Sequence, residues 1–184
     1  MFELFKKQAE AASAEVHRFP TIRETTDFIV RTLQQENIAN QCGSYAVWAD
    51  CRFLRSIDTE LLSGEIPGLK FDVSRETAAA SKIGISQMDW AIANTGSLAQ
   101  DSTDVTQRLA SSLPLIHIAI VATERLLADL PALLTKIDPK KVGYLAVVTG
   151  PSRTADIERV LTIGVHGPER LIIVFVDDWG ARDS

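Results

Sequence analysis

Apolar positions in this chain alternate between two rhythms. One is the spacing of three and four that builds helix faces; the other is a series of short, nearly continuous apolar runs. Residues 2–18 place Phe2, Phe5, Ala9, Ala12 and Val16 among charged positions, which predicts an amphipathic helix. Pro20-Thr21 interrupts it. Thr21 with Glu24 three residues on forms a capping box, and Ile22, Phe28, Ile29 and Leu33 then predict a second helix ending near Asn37. Both helices precede the first expected strand, so they cover the later sheet or offer a partner surface.

From residue 44 the pattern becomes β-α-β-α. Residues 44–49 read as a strand, 52–62 as a helix, 69–73 as a short strand and 75–82 as a short helix. Residues 90–93 and 97–100 read as two strands joined by Asn94-Thr95-Gly96 turn chemistry. The functional alternative to this turn is a Thr95-Gly96-Ser97 loop whose hydroxyls and backbone N–H groups hold an anion, for which a bare Thr-Gly-Ser is a weak signal. Residues 102–112, with Asp104, Gln107 and Arg108, read as a loop or short helix. They lead to a strand at 115–121 and a helix at 124–136 capped by Thr123. Residues 142–149 are almost wholly apolar, as in a strand buried on both faces of a parallel sheet. A helix from Ile157 and a last strand at 170–176 complete a β-α-β-α-β second half, long enough for right-handed crossovers. The expected fold is α/β, one domain of 184 residues with residues 1–40 as N-terminal helices and 41–184 as the core.

Composition narrows the function more than it alters the fold. The chain is 46% hydrophobic and 23% charged with a formal net charge of -5, which argues against nucleic-acid and membrane-surface roles. No apolar run reaches the roughly 20 residues of a membrane span. The first residues lack the apolar centre of a secretory signal. Cys42 and Cys51 fit neither a zinc nor an iron–sulfur spacing, so reduced thiols in the cytoplasm, with no metal and no cofactor, are the expectation.

The chemistry concentrates where the 142–149 strand ends. Gly150-Pro151 breaks the strand; Ser152 and Thr154 are N-cap types, and Asp156 and Glu158 suit a helix's first turn. With Arg153, free N–H groups and two hydroxyls, this loop suits a carboxylate or phosphate. Alternatively, the hydroxyls only cap the helix and Arg153 pairs with Asp156 or Glu158. Of the three histidines, His17 falls near the end of the first helix and is expected in solvent. His117 interrupts an apolar strand, as a satisfied buried histidine does. His166 stands between glycine and proline. A regular crossover helix would put it roughly 15 Å from Ser152. No dinucleotide or Walker loop, nucleophile elbow or zinc-protease helix is present, and Ser152 has no base nearby in sequence.

Asn94-Thr95-Gly96-Ser97-Leu98, Leu113-Pro114-Leu115-Ile116-His117-Ile118, and Thr149 through Glu158 with Gly164-Val165-His166-Gly167-Pro168 resemble the LUD domain, the family of lactate-utilisation protein C. The match in motifs spans about residues 84–177. The resemblance implies a three-layer α/β sandwich with a mainly parallel sheet, similar to the isomerase and CoA-transferase group. It implies an accessory role in oxidation of L-lactate to pyruvate beside iron–sulfur partner subunits. It also marks Thr95, Gly96, Ser97, Gly150, Ser152, Arg153, Thr154 and Asp156 as ligand-site candidates, with Asp89 and His166 secondary. The competing reading is a stand-alone enzyme for a phosphorylated or CoA-linked metabolite, in which a buried Asp89 or Asp156 serves as the proton-transfer group. A third is a structural module that forms a homo-oligomer through an apolar patch.

Overall fold

The computed structural model describes residues 1–138, 140–155, 161–163 and 167–179. Its centre is a six-stranded sheet. In chain order the strands are β1 (Glu15–Phe19), β2 (Tyr45–Trp48), β3 (Leu69–Lys70), β4 (Ser81–Gln87), β7 (Ile116–Ala122) and β12 (Arg170–Val176). They lie in the order β1-β12-β7-β4-β2-β3, and every pairing is parallel. All seven residues of β7 are buried, as a central strand covered on both faces requires.

Alternate residues of β7 and β12 feed two cores. Ile118 and Val174 face α2 (Ile22–Gln35) and α3 (Thr59–Glu65), packing on Ile29, Leu33 and Leu62. Val121, Ile173 and Phe175 face the other way, onto Phe5 and Ala9 of α1 (Phe2–Ala11). This second covering layer also contains α4 (Arg75–Ala79), α5 (Val105–Ser112) and a small sheet. The small sheet, ordered β8-β5-β6-β9, comprises β5 (Trp90–Ile92), β6 (Ser97–Asp101), β8 (Leu126–Leu127) and β9 (Leu145–Val148). The architecture is the expected α/β sandwich of three layers on a parallel sheet.

Several elements depart from the sequence reading. The 2–18 helix stops at Ala11, because Ser13 takes a positive φ of 69°, and residues 15–19 become strand β1. His17 is therefore a strand residue packed 4.5 Å from the Phe28 ring, and half-burial lowers its pKa. β1 sits beside β12 in the main sheet, so a strand separates the two N-terminal helices. β4 replaces the end of the expected 75–82 helix; α4 stops at Ala79. The 52–62 helix is instead a 3-10 turn, Leu54–Ser56, followed by α3, which Asp58 caps. In place of a 124–136 helix come a 3-10 turn, β8 and α6 (Leu130–Leu134), with Asp129 as the cap and Pro131 in the first turn.

The largest correction concerns residues 142–155. β9 pairs antiparallel with β6 at the edge of the small sheet, because both places beside β12 are taken by β1 and β7. Arg153–Ala155 (β10) pairs antiparallel with Leu161–Ile163 (β11), so Arg153 and Thr154 lie on a strand where a helix start was expected. A threonine in each segment, Thr154 and Thr162, with Ile163 beside the second, favours pairing over a helix start. The expected helix residues 156–160 lie outside the described residues. Among the described residues no helix is long and apolar enough to cross a membrane.

Candidate functional site

The two turns marked in the sequence meet. Ser97 Oγ donates to Thr95 Oγ1 at 2.8 Å and lies 2.7 Å from Thr149 Oγ1, which joins the β5–β6 turn to the end of β9. Both turns rest on the C-terminal end of α1. Gly96 has φ +65°, and a Cβ there would fall 2.3 Å from the Ala9 amide nitrogen; Gly150 has φ +70°, and its Cβ would fall 2.3 Å from the Ala12 carbonyl oxygen. These glycines serve close packing, and Thr95 itself is exposed on the surface.

Beyond the Gly150 turn opens a cleft of about 480 Å³ between α5, β9 and the start of β12. Thr149, Gly150 and Ser152 form one side. The Ser152 amide donates to the Pro168 carbonyl at 2.8 Å, and Gly167 lies against the Ser152 side chain. The segment just after His166 is thus beside Ser152. The expected helix-length separation of His166 from Ser152 falls on residues outside those described. His166 and Asp156 lie outside the described residues, as do the side chains of Arg153 and Thr154.

Arg108 supplies the cleft's cation. Asp104 caps α5 by accepting from the Thr106 amide at 2.9 Å, and Arg108 follows one turn later. Its Nη1 donates to the Ser102 carbonyl and, at 3.4 Å, to that of Thr103; the guanidinium lies 5.1 Å over the Tyr144 ring. The guanidinium thus sits among carbonyls and an aromatic face. His117 also lines the cleft. Its Nε2 lies 2.8 Å from Ser86 Oγ, both side chains are buried, and desolvation pushes its pKa down to about 4. At neutral pH the ring is uncharged. No aspartate or glutamate lines this cleft among the described residues. Neither Arg108, expected only within a polar loop or short helix, nor Ser86 was among the expected site residues; the Asp104 cap is the local signal that decides for the helix.

Asp89 belongs to a different cavity. A crevice of about 370 Å³ opens beyond the carboxyl ends of β4, β7 and β12. Asp89 Oδ2 accepts from the Asp101 amide at 2.6 Å, and burial raises its pKa against that hydrogen bond. Arg125 lies 4.7 Å over the Trp90 ring on the same rim. Beside the crevice runs a buried amide network. Gln100 Nε2 donates to the Gln87 carbonyl at 2.5 Å and to Gln107 Oε1 at 2.9 Å, while Ser102 Oγ donates to Gln100 Oε1 at 2.8 Å. Gln107 Nε2 reaches the Asp50 carbonyl at 2.7 Å, so the network fastens α5 and β6 to the loop after β2.

A three-layer α/β sandwich on a parallel sheet is the class that the fold defines. The LUD domain model matches residues 2–176. Lactate utilization protein C of Geobacillus sp. (strain WCH70) is 31% identical over 92% of this chain and 78% of its own. The protein of that name from Macrococcus caseolyticus is 30% identical over 85% and 71%. In fold, the crystal structure of a DUF162 family protein from Deinococcus radiodurans is similar with a TM-score of 0.60 at 16% identity, covering 95% of each chain. This chain belongs to the LUD domain family.

Proposed function

We propose that this LUD-domain protein serves lactate utilisation as an accessory subunit in the oxidation of L-lactate to pyruvate, and that it holds a small carboxylate in the cleft beside Gly150. The observation that carries this reading is the cleft's electrostatics: one guanidinium, one uncharged imidazole and no lining carboxylate among the described residues. A carboxylate entering there meets a cation already oriented by carbonyls and an aromatic ring, which lowers the ordering cost of a charge-assisted pair. The neutral His117 can exchange a hydrogen bond with a 2-hydroxy or 2-keto oxygen without opposing the ligand's charge. The names of the two relatives supply lactate utilisation, and the electrons released would pass to iron–sulfur partner subunits.

Titration calorimetry with L-lactate, pyruvate and phosphate tests the ligand part. Saturable binding of lactate or pyruvate is expected, weakened about tenfold or more by Arg108→Ala, which is a loss of at least about 1.4 kcal/mol. Arg153→Ala and Arg153→Lys, run in parallel, establish whether the neighbouring arginine shares the load; a clamp by Arg153 would make the lysine variant weak as well. Absence of carboxylate binding, or binding indifferent to both arginines, would sink the cleft reading.

A further inference from the structure

The crevice beyond the sheet's carboxyl ends differs from the cleft in position and in charge. The strand order makes a switch point there: from β2 the chain moves outward to β3, and from β4 it moves the other way to β7. Open parallel sheets bind ligands in the crevice that such a reversal leaves outside the carboxyl ends. Met88 and Asp89 follow β4, Arg125 follows β7, Trp179 follows β12, and Arg52 comes from the loop after β2.

We propose that this crevice is a second ligand site, taking a small phosphomonoester that carries hydroxyl groups. The lining is mixed in a way that fits the two halves of such a ligand. Arg125, Lys136 and Lys141, with Arg52, bring cations from separate segments of a chain whose net charge is -5. Arg125 lies 4.7 Å over the Trp90 ring, which helps to fix its guanidinium for an oxyanion, while its Nε is 3.8 Å from the Glu124 carboxylate, an exposed pair of little strength. The half-buried Asp89 and the exposed Asp101 also line the crevice and supply carboxyl oxygens to which ligand hydroxyls can donate. Asp138 lies 4.0 Å from Lys141 and offsets only that cation. A plain carboxylate would leave the aspartates facing it unused. A phosphate dianion with hydroxyls satisfies both sets.

The experiment is calorimetric titration of the full chain with inorganic phosphate and with glycerol 3-phosphate. Glycerol 3-phosphate is expected to bind several-fold tighter than phosphate. Arg125→Ala should weaken both by about tenfold, and Lys136→Ala, on an exposed side chain, should weaken both without disturbing the fold. Asp89→Asn, which keeps the acceptor for the Asp101 amide, should remove only the advantage of glycerol 3-phosphate. Arg108→Ala should leave both unchanged while weakening pyruvate, so this proposal and the cleft reading fail separately. Phosphate binding that disappears in Arg108→Ala but survives Arg125→Ala and Lys136→Ala would overturn the second site. So would the absence of saturable binding of either probe.

Discussion

Gly150 shows how far one residue's conformation governs the cleft. Its φ of +70° and the approach of the Ala12 carbonyl leave no room for a Cβ, so Gly150→Ala combines backbone strain with a contact no rotamer can relieve. A loss of about 3 kcal/mol is expected in urea unfolding. Gly64, inside α3 with open space around its Cα, is the control: Gly64→Ala should be neutral or gain up to about 1 kcal/mol. His117 governs a pH dependence. Its folded-state pKa of about 4 lies below the ordinary 6.5, so below pH 6.5 the unfolded chain binds the proton that the folded chain refuses. Stability is therefore full above that value and falls as pH drops from 6.5 toward 4, by at most about 3 kcal/mol. His17, also lowered, adds in the same direction. Urea titrations at pH 7 and 5 should show the decline, and His117→Gln should flatten it to what His17 leaves. An unchanged slope in that variant would show that His117 is not the group responsible.

At the scale of elements, the buried amides fasten α5 to the sheet. Gln100→Leu would strand the Gln107 and Ser102 partners at once, and a loss of about 2–4 kcal/mol is expected, with Ser102→Ala costing about 1. Equal small losses for the two would mean the amides act singly, not as a unit. Two local signals were legible in the sequence, the cap of α2 and the β5–β6 turn, although the equally local caps of α3 and α6, Asp58 and Asp129, were not used. Thr21 does accept from the Glu24 amide, at 3.2 Å, and starts α2, and the β5–β6 hairpin turns where Asn94-Thr95-Gly96 says it should. Elements defined by their neighbours were not legible. β1 is five residues with polar Glu15, His17 and Arg18, and only its pairing with β12 makes it a strand. β4 contains lysine, glycine, two serines and glutamine, and its burial comes from β2 and β7 on either side. The apolar run before Gly150 was recognised as a strand but assigned to the wrong sheet, since sequence cannot tell which places beside β12 are free. The site followed the same rule. Its turns were visible as glycines and hydroxyls, whereas Arg108 reaches the cleft only through the packing of α5, and Ser86 reaches the lining His117 only through the register of β4 beside β7.

Across the whole molecule, the central sheet separates two cores that should respond differently to damage. Phe5 and Leu33 are both fully buried, on opposite faces. Phe5 packs edge-on against Phe175 at 5.0 Å and anchors α1, whose C-terminal end carries the Gly96 and Gly150 turns. Leu33 anchors α2 on the far side of the sheet. Truncating either to alanine should cost about 3–5 kcal/mol, because each leaves a cavity in a close-packed core. Their effects on the cleft should diverge. Phe5→Ala loosens the helix on which both turns rest, so the Thr149–Ser152 side of the cleft loses its support and pyruvate binding weakens. Leu33→Ala lowers stability by a similar amount, yet leaves α1, β9 and α5 in contact as before. The comparison requires both variants folded, which low temperature and a near-ultraviolet circular dichroism spectrum secure. Calorimetry with pyruvate then separates the cases: weakened binding in Phe5→Ala with near-native binding in Leu33→Ala would tie the cleft to α1. Equal losses in both would mean that binding follows global stability and that the helix end has no special hold on the turn.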